Sequence, residues 1–219
     1  MPSFLGHPRV NTVLLPAPVY ATWNPAGTNP NITLSNGNLT AELNVANGDG
    51  NFTGTQVGRD RGSYYVEFSI NNIATNPANI SFGLIDTNQA RSGDLGDVAY
   101  AYAWRCDGNK ENNNNIESHG SSASISSIVM MACRLYDGIE NDVADLYFGL
   151  DGVWFNGSDP SSGQGATFSS VPAPLATDFL IGCTLRGVGD MITANFGQAV
   201  FTYSVPNGYG RGWGDNISP

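Results

Sequence analysis

From Val98 to Trp104 the chain alternates without a break: Val98, Tyr100, Tyr102 and Trp104 fall on one side and Ala99, Ala101 and Ala103 on the other. A period of two is the signature of an extended strand, whose successive side chains point to opposite faces. The same period recurs at Tyr64, Val66, Phe68 and Ile70, and at Phe179, Ile181, Cys183 and Leu185. Shorter apolar runs lie at 32–34, 39–45, 80–85, 125–135, 146–150, 153–155, 191–196 and 200–203. No segment keeps the 3.6-residue period of an amphipathic helix. Asn36-Gly37, Asp151-Gly152 and Asn156-Gly157 supply the positive φ angles that tight hairpins need, and Asp151-Gly152 is expected to join two antiparallel strands. Roughly ten or more short strands without helices predict an all-β antiparallel sandwich or barrel.

Composition narrows the partners. The chain has 219 residues, 13% charged, with a net charge of −10, and Lys110 is its only lysine. Scattered arginines without a basic cluster do not make the electrostatic footprint of a nucleic-acid binder. No apolar run approaches the ~20 residues of a membrane span, and Val13-Leu14-Leu15 is cut short by Pro16 and Pro18, so neither a membrane segment nor a signal peptide is expected. Cys106, Cys133 and Cys183 are widely spaced and include no CxxC pair, which fits synthesis in a reducing cytoplasm. Cys133 and Cys183 read as buried small hydrophobes. Cys106, in a polar stretch, is the one candidate reactive thiol, and is expected to be inert.

Residues 1–20 contain Pro2, Pro8, Pro16 and Pro18 and are read as an extended arm. Phe4, Leu5, Val10, Val13, Leu14 and Leu15 make it too apolar for an idle tail. It either docks onto another protein or lies along its own domain and covers a sheet edge. Residues 21–210 form the predicted sandwich, and 211–219, with alternating glycines, read as a flexible tail. The polar stretch from Cys106 to Ser124 reads as an exposed loop.

The chemistry on offer is slight. His7 and His119 are the only histidines and form neither a triad nor a metal-ligand pair. There is no phosphate loop and no dinucleotide fingerprint, so no cofactor is expected. Asn47–Asn51 and Asp94–Asp97 are rich in oxygen ligands but read better as ordinary turns than as calcium loops. Asn-X-Ser/Thr triplets at Asn31, Asn38, Asn51, Asn79, Asn156 and Asn216 reflect high Asn usage. No catalytic residue is assigned. What remains is recognition: aromatic faces beside amides bind sugars and proteins alike. The candidate ligand-binding residues are Asn112, Asn113, Asn114, Asn115, His119, Trp154, Tyr209 and Trp213.

Three blocks of sequence carry a resemblance. Thr22-Trp-Asn-Pro25, then Ile32 to Thr40 and Gly62-Ser-Tyr-Tyr-Val-Glu-Phe68, form the first, and Gly149 to Pro160 the second. Thr193-Ala-Asn-Phe-Gly-Gln198, followed by Phe201-Thr-Tyr203 and Pro206 to Tyr209, is the third. In order and spacing they resemble the SPRY-domain proteins of bacteriophages and bacteria. The resemblance implies a bent, jelly-roll-like antiparallel sandwich, no enzyme activity, no cofactor, and loops at one end that contact partners. It further implies a virion component made in the host cytoplasm. Its arm would bind capsid, neck or tail proteins, and its sandwich would be displayed toward a host glycan or protein. Alternatively, the sandwich cements neighbouring subunits. Fibre-like homo-oligomers belong to the same analogy.

Overall fold

A computed structural model describes residues 16–45, 51–89, 93–139, 141–175 and 178–217. Two antiparallel sheets dominate it. The smaller has six strands in the order β4-β14-β6-β7-β8-β9. These are β4 (Asn51–Gly54), β6 (Ile80–Asp86), β7 (Ala101–Arg105), β8 (Asn109–Asn112), β9 (Asn115–Ser118) and β14 (Phe179–Leu185). The larger, of nine strands, runs β12-β11-β10-β5-β15-β3-β2. It contains β2 (Ile32–Ser35), β3 (Thr40–Leu43), β5 (Gly62–Asn72), β10 (Ile128–Asp137), β11 (Asp142–Leu150), β12 (Val153–Trp154) and β15 (Met191–Asn195). β13 (Phe168–Pro172) adds to β11, and β16 (Gly210–Arg211) adds to β5 as a parallel pair within an otherwise antiparallel fold. β1 (Val19–Tyr20) and β17 (Gly214–Asp215) form a separate ribbon.

The alternating residues read from sequence meet between the sheets. Val66, Phe68 and Ile70 of β5 and Met131, Cys133 and Leu135 of β10 pack against Phe82 and Leu84 of β6, Tyr102 and Trp104 of β7, and Ile181 and Cys183 of β14. Phe68 and Phe82 stack across the gap with centroids 4.4 Å apart. Both sheets are also covered on their outer faces. Ala101 and Ala103 pack with Phe52, Ile85, Leu95 and Leu180 on one. On the other, Tyr65, Met130, Ala132 and Tyr147 lie beneath Phe201, Tyr203, Val205 and Tyr209. Double coverage explains why β6 and β14 are buried along their whole length. Among the described residues, no helix is long and apolar enough to cross a membrane.

The Asp151-Gly152 hairpin forms as expected, with Leu150 opposite Val153 and both turn residues at positive φ. Several boundaries differ. The strand expected from Val98 begins only at Ala101, and Val98 packs with the alanine face rather than with Tyr102. Residues 200–203 are not a strand. They belong to a strap held by Glu67, which is 3% exposed and accepts hydrogen bonds from Tyr65 Oη and from the Thr202 and Tyr203 N–H groups, each at 2.8 Å.

The 211–219 stretch is not a flexible tail over its described part. Trp213 is fully buried, donates its indole N–H to Val57 O at 2.9 Å, and is followed directly by β17. Val19 and Tyr20, inside the predicted arm, pair with that strand. Phe4, Leu5, Val10, Val13, Leu14 and Leu15 lie outside the described residues. Cys106 is buried rather than looped out, and burial drives its thiol pKa well up, as it does for Cys183.

Candidate functional site

The stretch from 106 to 124 is ordered, not an open loop: most of it is the β8–β9 hairpin. Asn113 and Asn114 occupy its two-residue turn with φ of 51° and 60°, the left-handed values that the favoured hairpin turn demands and that Asn tolerates best after Gly. The amides then fasten the turn to the chain beside it. Asn112 Nδ2 donates to Ala99 O at 2.9 Å and Ala101 O at 2.8 Å, and Asn114 Nδ2 donates to Asp97 O at 2.7 Å. Beneath the hairpin, Glu111 is buried beside Arg105, at 3.4 Å. Burial raises its carboxyl pKa, and Arg105 opposes that rise.

On the core-side face of the hairpin, where the two sheets part, lies an open cleft of about 320 Å³ lined by Lys110, Asn112, Asn113, Asn115, Glu117 and Phe168. Lys110 spans it. Its ammonium sits 3.1 Å from Glu117 and 5.5 Å from the centre of the Phe168 ring, which belongs to the opposite sheet. Asn115 Nδ2 also donates to Glu117, at 2.9 Å. These two donors hold the Glu117 carboxyl pKa below its usual value. The cleft thus offers an aromatic surface, exposed amides and a solvated ion pair.

Of the predicted site residues, Asn112, Asn113 and Asn115 converge here, while Asn114 supports the turn. His119 follows the hairpin. Its Nδ1 is 3.1 Å from Asn156 Nδ2, its ring meets Phe155 edge-on, and its Nε2 is buried without a partner. Trp154 is half-buried on the far face of the larger sheet, edge-on to Tyr65 at 6.2 Å. Tyr209, 5% exposed, belongs to the same outer cluster, and Trp213 to the core. Neither can serve as a surface stacking platform, because folding has already covered both rings. Sequence reasoning missed Glu117 and Phe168. An Asn-Asn pair between two polar strands is a readable hairpin signal, but nothing local announces that Phe168 will face Lys110.

Two other sites carry less. A wider depression of about 650 Å³ at the β10–β11 turn is lined by Tyr136, Asp137, Ile139, Val143 and Pro172 among others. Its Asp137 is already engaged by Arg61, which also binds Asp142 at 2.6 Å. Asp94–Asp97 is a turn closed on itself, with Asp97 Oδ2 accepting from Asp94 N at 2.7 Å and Asp94 paired to Arg186 at 2.8 Å. Among the described residues no group of three His, Cys, Asp or Glu is placed to hold a metal ion.

Comparison with solved structures decides the fold. A human SPRY domain superposes over 78% of this chain and 98% of its own, with a TM-score of 0.55 at 15% identity. The SPRY domain of human HERC1 covers 81% of this chain and 99% of its own, with a TM-score of 0.58 at 14% identity. The fold is SPRY-like. No protein-family model and no curated protein matches the sequence. In the SPRY-like sandwich the motifs that carry the sequence resemblance acquire structural duties: Glu67 of the Tyr-x-Glu pattern clamps the strap, and the Asp151-Gly152 turn builds the β11–β12 hairpin.

Proposed function

We propose that this chain is a non-enzymatic recognition module of a bacteriophage virion, presenting the β8–β9 end of a SPRY-like sandwich to a receptor on the host surface. The virion setting is supported by the phage-type sequence resemblance. The observation that carries the recognition reading is the cleft lined by Asn113, Asn115, Lys110, Glu117 and Phe168, with Lys110 over the Phe168 ring. Amides and an ion pair around one apolar ring suit selective binding of a polar ligand, since the ring gives contact area and the amides satisfy its hydrogen bonds.

The test uses the full chain with Phe168→Ala and Asn115→Ala, measured for adsorption to host cells and on an array of bacterial surface glycans. Each variant is expected to bind at least tenfold more weakly than the wild-type chain while melting cooperatively. Variants that fold and adsorb like the wild type would overturn the assignment.

A second reading, a cement between neighbouring subunits, draws support from the β1–β17 ribbon. Pro16, Pro18 and Tyr20 meet Arg211, Asn216 and Ile217 around a separate cleft of about 270 Å³. A partner surface at this cleft, together with the β8–β9 hairpin at the edge of the smaller sheet, would give the two contacts that a cement needs, whereas a receptor-binding module would use this cleft alone for attachment.

A further inference from the structure

The smaller sheet ends on β9, and all four residues of β9 are exposed. The two-residue turn fixes the register: Asn112 pairs with Asn115 and Lys110 with Glu117, so the backbone N–H and C=O of Ile116 and Ser118 point away from β8. Sheets normally blunt such edges. At the opposite end, β4 is covered, its Phe52 and Gly54 carbonyls accepting the N–H groups of Asn29 and Asn24. Across the cleft, β13 carries Pro172, Ser170 at positive φ, and a bulge against β11. Among the described residues β9 has no cover, proline or bulge; its only protection is its four-residue length and Glu117, and its Ile116 is 48% exposed.

We propose that β9 accepts an extended segment of a partner polypeptide as an additional strand, whose inward side chains enter the cleft over Phe168. This rests on the cleft being the recognition site. The net charge of −10 favours a segment bearing Lys or Arg. A second copy of the chain fits less well. It carries the same charge, and two four-residue edges bury far less than the roughly 1,000 Å² of a stable interface. An added peptide pairs with β9 and packs on Phe168 at once.

The full chain is panned against displayed random peptides of about 12 residues, a length that spans the edge. Enriched sequences are then synthesised and titrated against wild type, Ile116→Val and Ile116→Pro. The Ile116 N–H is not used by β8, so proline removes only the outward donor. Expected are enriched β-branched sequences with Lys or Arg, unchanged binding by Ile116→Val, at least tenfold weaker binding by Ile116→Pro, and slowed hydrogen exchange at the Ile116 and Ser118 amides. If Ile116→Pro unfolds the hairpin, peptides N-methylated at alternate amides make the same test from the ligand side and are expected to lose binding. No enrichment, or undiminished binding to folded Ile116→Pro or by the N-methylated peptides, overturns the proposal. Dependence on Phe168 without dependence on the β9 edge, or a glycan ligand at the cleft, removes strand addition and leaves the recognition site standing. Dimerisation abolished by Ile116→Pro assigns the edge to a second copy and also overturns it.

Discussion

His119 shows how burial sets the behaviour of a single residue. Desolvation lowers its pKa from the ordinary value near 6.5, and Lys110 pushes the same way. Between the lowered value and about 6.5 the unfolded chain binds a proton that the folded chain refuses, so stability rises with pH across that window. The wild-type melting temperature is therefore expected to fall relative to His119→Asn as pH drops from about 7.5 to about 5.5. Parallel curves for the two proteins would contradict the assignment. Glu111, Asp94 and Asp190 act in the opposite sense, because burial raises their pKa values. Their stabilising contribution is present below the ordinary carboxyl value and is lost as pH rises through the raised ones, and it cancels in the comparison. None of these environments was legible in sequence. Cys106 and Trp213 sit among polar or glycine-rich neighbours, and their burial comes from segments remote along the chain: Trp213 packs edge-on to Tyr64, and the Cys106 carbonyl accepts the Ala123 N–H.

At the scale of elements, the strap over the larger sheet depends on one carboxylate. Glu67→Ala would leave Tyr65 Oη and the Thr202 and Tyr203 N–H groups without their acceptor. At about 1–3 kcal/mol for an unsatisfied buried group, and with partial rescue by water, a loss of about 2–4 kcal/mol is expected in denaturant titration. A variant as stable as the wild type would show that the strap is held by its aromatic side chains alone. Strands were the most readable part of the sequence, since period two survives wherever one face is buried, as in β5 and β14. Val200 to Tyr203 reads as a strand because three of its four residues are large and apolar or aromatic. Its partner is a side chain rather than a neighbouring ladder. The β8–β9 hairpin reads as a loop for the converse reason: its pairing is held by an Asn-Asn turn and backbone bonds, without an apolar stripe to announce it.

For the whole molecule, strand count and turn chemistry narrow the fold to an antiparallel sandwich or barrel, the resemblance selects the sandwich, and the comparison with SPRY domains agrees. The candidate site was half legible: the amides of Asn112 to Asn115 could be named, but the cleft exists only because β13 brings Phe168 opposite the hairpin. The layout also separates two surfaces, the β1–β17 ribbon and the hairpin at the edge of the smaller sheet. The anchored receptor-binding module proposed above would use the first to attach and leave the second free. Cryo-electron microscopy of phage particles purified from cells that express this chain tests the proposed virion setting and that arrangement most directly. The account predicts β1–β17 buried against a neighbouring subunit and the β8–β9 hairpin with Phe168 facing solvent. A hairpin sealed between subunits, or particles that lack the chain, would contradict it.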